Sequence, residues 1–377
     1  MNVNMQCVGT SISFNQFETI FNAAGLNSTI SLSDANAFPP ANMLPLIANA
    51  NTKKLSLQVS GRSVSAPGLI EMINTATGAN TVISIDEMNN YPITSVDQIV
   101  AAIGAKPYPI SINGGAVNQT TAPPLINALS NPSTPLSLNS LNSLVDEAVT
   151  AVLAAIGSKT YSISLDGSLS TPTSIIETIG KIGENSNISL SNSRFINADA
   201  MSQTLASVGA KKFAITFDAP DFTVPYLKSF VASAGPNTSI TLTTSQVLTT
   251  SDLLEILTLN GDRKLTLEFN GRQLSVDPVN GDKLQQVVAA ANTSHTISVN
   301  TIQYPPLSYI LPIIQSSANT NMVLSYNGSQ LTDTEAQGNV VVRGIEVAQP
   351  TTSIIVTSVG VTNYSVENYL DIVKAAG

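Results

Sequence analysis

The stretch SVDQIVAAIGAKPYPISIN, residues 95–113, contains one complete unit of a pattern that runs through the whole chain. Val96, Ile99, Val100 and Ile103 fall on one stripe at helical spacing, so its first half reads as a short amphipathic helix. Gly104 closes that helix, as expected where the chain must turn left-handed. Ile110, Ser111, Ile112 and Asn113 then alternate apolar and polar, the signature of a strand. The apolar face of so short a helix needs the strands for cover.

Outward from this unit, the motif of apolar, small polar, apolar, then a small polar residue recurs fourteen times. It appears as ISFN from Ile12, ISLS from Ile30, LQVS from Leu57, ISID from Ile83 and ISIN from Ile110. LSLN from Leu136, ISLD from Ile163, ISLS from Ile188, ITFD from Ile215 and ITLT from Ile240 follow. LEFN from Leu267, ISVN from Ile297, LSYN from Leu324 and IIVT from Ile354 complete the series. After a first step of 18 residues, the starts are separated by 25 to 30, the length of one strand plus one helix. Alternate units resemble each other most closely, with 53 residues from Ile110 to Ile163 and 52 from Ile163 to Ile215, so the underlying repeat is a pair.

Prolines mark helix starts at Pro39, Pro67, Pro123, Pro172, Pro225 and Pro305, where the missing N–H has no intrahelical partner to lose. Glycines mark the ends at Gly25, Gly78, Gly104, Gly157, Gly183, Gly209, Gly235 and Gly261. Strand followed by helix at this short period suits a one-directional stack of parallel strands. These features resemble the leucine-rich-repeat superfamily, in particular its ribonuclease-inhibitor-like α/β solenoids, over residues 10–377. The likeness is one of architecture, since Thr160 and Pro107 stand where the family places a leucine ahead of the strand. It implies a horseshoe of about fourteen strand-helix units, with a parallel sheet on the concave face and helices on the convex face. It also implies a non-enzymatic scaffold for protein-protein interaction, with a bacterial secreted effector as the more specific form.

On this reading residues 1–377 form a single solenoid, with an N-terminal cap unit over 1–29 and a C-terminal cap with an irregular insertion over 338–377. Val340, Val341, Val342, Ile345 and Val347 in that insertion read as extra strand. The chain is 43% hydrophobic and only 11% charged, so a large core is covered by Ser, Thr and Asn rather than by ions. A net charge of −9 excludes a general nucleic-acid binder, which needs clustered cations. One cysteine, Cys7, rules out an intrachain disulfide or a multi-cysteine metal site. No cofactor motif appears. The start of the chain lacks the pattern of a secretory leader and no stretch suits a membrane span, so any secretion is expected to follow a route independent of a signal peptide.

Two residue series are candidate binding positions. The middle residue of each strand motif points away from its apolar neighbours, which places Ser84, Ser111, Ser137, Ser164, Ser189, Thr216 and Thr241 in a hydroxyl ladder on the concave face. Such a ladder suits a peptide or a glycan, or serves only to keep a crowded sheet soluble. Cations before every second strand, Lys54, Lys106, Lys159, Lys212 and Lys264, with Lys53, Lys211 and Arg263 beside them, form an alternative basic stripe. Each also follows a helix C-terminus, where a positive charge is favoured anyway. Aromatics such as Tyr91 and Tyr304 carry the alternative of a glycan-binding or surface structural protein. A carboxylate glycoside hydrolase would use Asp166 and Asp218, two strands or roughly 9.6 Å apart, near the spacing of an inverting pair. His295 is the single histidine and has no nucleophile motif beside it.

Overall fold

The strand motifs bury alternate residues, and that alternation decides which side of each strand the helices cover. In the run Thr81–Asp86 the side chains of Ile83 and Ile85 are buried while Ser84 and Asp86 stay partly open. The computed structural model describes residues 2–50, 53–113, 116–129, 135–157, 159–274, 282–302, 307–317, 320–328, 331, 339–359 and 364–377. They form two compact units.

The first unit joins residues 1–57, 78–81 and 242–377. It opens with β1 (Asn2–Val8), α1 (Phe14–Ala23), β2 (Ser28–Ser33), α2 (Pro40–Asn49) and the start of β3 (Lys54–Ser60). The second unit, residues 58–77 and 82–241, continues with α3 (Ala66–Thr75), β4 (Thr81–Asp86), α4 (Ile93–Ile103), β5 (Ile110–Asn113) and α5 (Ala122–Ala128). Next come β6 (Leu136–Asn139), α6 (Asp146–Ile156), β7 (Tyr161–Asp166), α7 (Pro172–Lys181), β8 (Asn187–Ser191) and α8 (Ala198–Val208). It ends through β9 (Lys212–Asp218), α9 (Val224–Ser233) and most of β10 (Thr238–Thr243). The first unit then resumes with α10 (Thr250–Asn260), β11 (Leu265–Asn270), α11 (Lys283–Ala290), β12 (His295–Asn300) and α12 (Leu307–Ser316). Its last elements are β13 (Asn321–Asn327), α13 (Val340–Val347), β14 (Thr352–Val359) and α14 (Val366–Ala376).

The α/β repeat of parallel strands and helices is as expected, but the ends are not those of an open horseshoe. Within the first unit β1 pairs in parallel with β14 on one side and with β2 on the other, so the strand order returns on itself there, as in a closed barrel. Residues 1–29 and the described part of 338–377 therefore hold ordinary strand-helix units joined to each other. Neighbouring strands are also staggered. Glu268 lies opposite Ser298 and Ser325 opposite Ile355, but Ser298 lies opposite Val323, two residues back along its strand motif. The same two-residue step recurs at β2 to β3, where Ser31 meets Ser56, and at β6 to β7, where Ser137 meets Ser162.

Two local expectations are corrected. ISFN at Ile12 is not a strand: Ser13 caps α1 in a capping box with Gln16, and the first strand is Asn2–Val8, with Val3, Met5 and Cys7 buried. Val340–Val347 is a helix capped by the Asn339 side chain, because Val340, Val341 and Ile345 share one buried face.

The pairwise repeat has a backbone cause. After β2, β4, β6, β8, β10 and β12 one residue adopts a left-handed conformation, at Asp34, Glu87, Ser140, Asn192, Thr244 and Thr301, and Ser358 does so near the end of β14. After odd strands β1, β3 and β7 stands a glycine, Gly9, Gly61 or Gly167, whose N–H donates to the next strand. A Cβ at Gly61 would lie 2.7 Å from the Glu87 carbonyl oxygen, and one at Gly167 2.6 Å from that of Asn192. Of the helix-ending glycines, only Gly104, Gly157, Gly209 and Gly261 are left-handed. Gly235 serves a different need, lying against the Gly209 carbonyl where a side chain has no room.

Candidate functional site

The ladder residues all belong to the second unit and alternate along their strands with buried apolar residues. Ser189 and Thr216 are exposed and Ser84, Ser137, Ser164 and Thr241 half-buried, while Ser111 retains 9% of its surface. The rows differ from those the motif alignment suggests. Ser111 pairs with Ser137 and Ser164 with Ser189, but Ser137 continues to Ser162 and Ser189 to Ala214. Ile85 stands opposite Ile110, which brings Asp86 and not Ser84 beside Ser111. The stagger thus breaks one ladder into shorter steps. Some hydroxyls are also engaged locally: Ser111 donates to Asp86 Oδ1 at 3.0 Å, and Ser164 accepts the N–H of left-handed Ser140 at 2.9 Å.

The basic series divides by function. Lys106 Nζ donates to the Ile73 carbonyl at the end of α3 at 2.5 Å, and Lys159 Nζ to that of Ala155 at 3.4 Å. Lys53 and Lys211 cap the ends of α1 and α7 in the same manner, and Arg263 Nε donates to Asn260 at 2.9 Å. Burial lowers the pKa of Lys53, Lys106 and Lys211. These cations complete helix C-termini. Lys54, Lys212 and Lys264 are exposed at strand starts.

The opposite end of the second unit, where strands lead into helices, carries features that the strand motif did not reveal. Ile93, Val145, Leu169, Phe195 and Tyr226 are large apolar side chains 44–67% exposed, and all five lie between a strand end and the first turn of the next helix. The readable signal was chemical: Val145 occupies an N-cap position that Ser65, Thr171 and Asn197 fill with a hydrogen-bonding side chain elsewhere in the unit. A cavity of about 410 Å³ opens beside Ile93, lined among others by Tyr91, Pro92, Val117, Pro124 and Leu125. The Tyr91 hydroxyl donates to the Val64 carbonyl at 2.8 Å, and burial pushes its pKa up to about 12. Tyr304 lies outside the described residues.

Asp166 and His295 are both engaged in hydrogen bonds within the fold. Burial pushes the Asp166 pKa up, but hydrogen bonds from the Ser168 hydroxyl, the Ser168 N–H and Asn192 outweigh it and hold the carboxyl below its ordinary value. A general acid needs the reverse shift. Asp166 lies opposite Ser191, one strand short of β9. His295 is buried, its Nδ1 accepting the Asn292 N–H at 3.2 Å, which leaves Nε2 to donate to the Gly261 carbonyl at 3.0 Å. The buried Cys7 thiol is pushed up to about 12. Among the described residues no group of three or more His, Cys, Asp or Glu is placed to hold a metal, and no helix is long and apolar enough to cross a membrane.

No family model matches the chain, and no curated protein does. Solved structures do. The leucine-rich repeat-containing protein LegL7 from Legionella pneumophila is similar over 74% of this chain and 95% of its own, with a TM-score of 0.53 and 15% identity. The Rad7 and Elc1 complex in yeast matches over 90% of this chain and 92% of the solved chain, with a TM-score of 0.45 and 12% identity. A Thermobaculum terrenum O-GlcNAc hydrolase mutant matches over 70% of this chain and 58% of that one, at a TM-score of only 0.24 and 14% identity. The chain has a leucine-rich-repeat-like α/β fold.

Proposed function

We propose that this protein is a non-enzymatic scaffold that binds a protein partner through the strand-exit rim of its second unit. The observation that carries the reading is that the five exposed large apolar side chains of the second unit all lie at that rim, while Leu26, Val247 and Leu259 are exposed in the first unit. Soluble proteins scatter single apolar residues over their surfaces, whereas a series restricted to one end marks an interaction site. The hydroxyl rows on the open sheet face are a second surface for the same partner. The short, uncharged side chains there offer hydrogen bonds without obstructing an approaching chain.

The test is capture of partners by three forms of the full chain: the wild type, a rim variant (Val145→Ser, Leu169→Ser, Phe195→Ser) and a sheet-face variant (Ser111→Arg, Ser137→Arg, Ser164→Arg). A protein retained by the wild type and lost from the folded rim variant supports the reading. Equal capture by all three removes both surfaces from it, and the absence of any protein partner overturns the scaffold. The more specific role of a bacterial secreted effector rests on the low charge and the Ser- and Asn-rich surface. A translocation reporter fused to the chain that never leaves the producing cell would remove it.

A further inference from the structure

From β6 to β9 the two ends of the second unit differ in their balance of charge. Over the exits of β6 to β9 stand Asp146, Glu147, Asp166, Asp199, Asp218 and Asp221, with Arg194 as the one cation in those segments. At the strand-start end of the same unit stand Lys106, Lys159, Lys181, Lys211 and Lys212, with Glu184 among them beside Lys211. Helix dipoles account for part of this, since Asp146, Glu147 and Asp199 sit in first helical turns. Asp166 and Asp218 end strands and Asp221 closes a 3₁₀ turn, so they fall outside that explanation.

The acids border the same apolar side chains, Val145, Leu169, Phe195 and Tyr226. Their loops are tied into one continuous strip. Asn142 Nδ2 donates to the Asp166 carbonyl at 2.7 Å, Asn192 Nδ2 to Asp166 Oδ2 at 2.9 Å, and the Ser193 hydroxyl to the Thr216 carbonyl at 2.7 Å. Arg194 lies over the Phe195 ring, 5.0 Å from its centroid. We infer that this strip docks a protein segment of one chemistry: apolar anchors on one face of a helix, bordered by Lys or Arg. Apolar burial supplies the affinity, and the acidic border selects the partner and speeds encounter. The inference deepens the scaffold reading and rests on it.

The experiment uses the full chain and two labelled synthetic helical peptides of about 18 residues with the same leucine stripe, one with Lys and one with Glu at the polar positions. Fluorescence anisotropy should show saturable binding of the Leu/Lys peptide, weakened about tenfold by raising salt from roughly 50 to 300 mM, and none of the Leu/Glu peptide. Two charge-matched variants separate the rim from bulk charge. Asp146→Asn, Asp199→Asn and Asp221→Asn together should weaken the Leu/Lys peptide about tenfold, while Glu71→Gln, Glu177→Gln and Glu184→Gln should leave it within about twofold. Equal effects of the two triples, or equal binding of both peptides, would overturn the inference. A native partner captured through the apolar rim yet indifferent to the rim acids would end this inference and leave the scaffold standing. Failure of both peptide binding and partner capture would end both.

Discussion

Val3 in the first strand stands directly opposite Ile354 in the last, in a parallel pair that begins at Asn2 and Ser353. Both are buried, and their strands are internal to the sheet. Removing residues 1–9 would leave β14 and β2 as two facing edges with unpaired N–H and C=O groups. The truncated chain is expected to associate or precipitate, which size-exclusion chromatography with light scattering would detect. A truncated chain that stays monomeric with unchanged thermal stability would show that the closure contributes nothing.

The two lysine series should separate in stability measurements. Lys106→Met removes a cation from the C-terminus of α3 and should cost about 0.5–1 kcal/mol in urea unfolding. Lys54→Met, at an exposed strand start, should stay within about 0.5 kcal/mol of wild type. Equal losses would assign a structural role to both.

Two glycines should respond to alanine with opposite signs. At Gly167 the new Cβ would lie 2.6 Å from the Asn192 carbonyl oxygen, so the turn must shift, at a cost of about 1–3 kcal/mol. Gly180, inside α7, has nothing within 4 Å of that position, and Gly180→Ala should stabilise by about 0.5–1 kcal/mol. Differential scanning calorimetry of the two variants checks both.

His295 gives the fold a pH dependence whose sign follows from its burial. Burial lowers the pKa of the ring below its ordinary 6.5, against smaller opposing effects of the Gly261 carbonyl and the Asp262 charge. The contribution is complete above pH 6.5 and is lost as pH falls through the lowered folded value, because the unfolded chain takes the proton first. Urea unfolding from about pH 7.5 to 5 should fall more steeply for the wild type than for His295→Gln. Parallel slopes would rule out His295 as their source.

Thirteen of the fourteen strand motifs are strands in the structure, since each buried pair of apolar residues is written into the alternation itself. The exception, ISFN, matched the letters but carried the competing Ser-x-x-Gln signal of a helix start. Restoring Asn2–Val8 as β1 sets Met5 opposite Ile30, 25 residues on, and brings the anomalous first step into rhythm. Of the proposed binding positions, the outward orientation of the ladder was legible, because it depends only on strand periodicity. Its rows were not, because register depends on pairing between strands. The apolar rim lies in turns, outside the repeating strand motif, where strand periodicity gives no signal of it.

The unit, its period, its helix boundaries and the face each strand buries were determined by the amino-acid sequence, because all of these are set by contacts within about 30 residues. Tertiary structure alone decided that β1 meets β14 and that successive pairs of strands step by two residues. The same local unit can pair with its neighbour in more than one register, and the choice lies in small shear and twist at each interface. Those small rotations accumulate over many repeats, and no single repeat records their total.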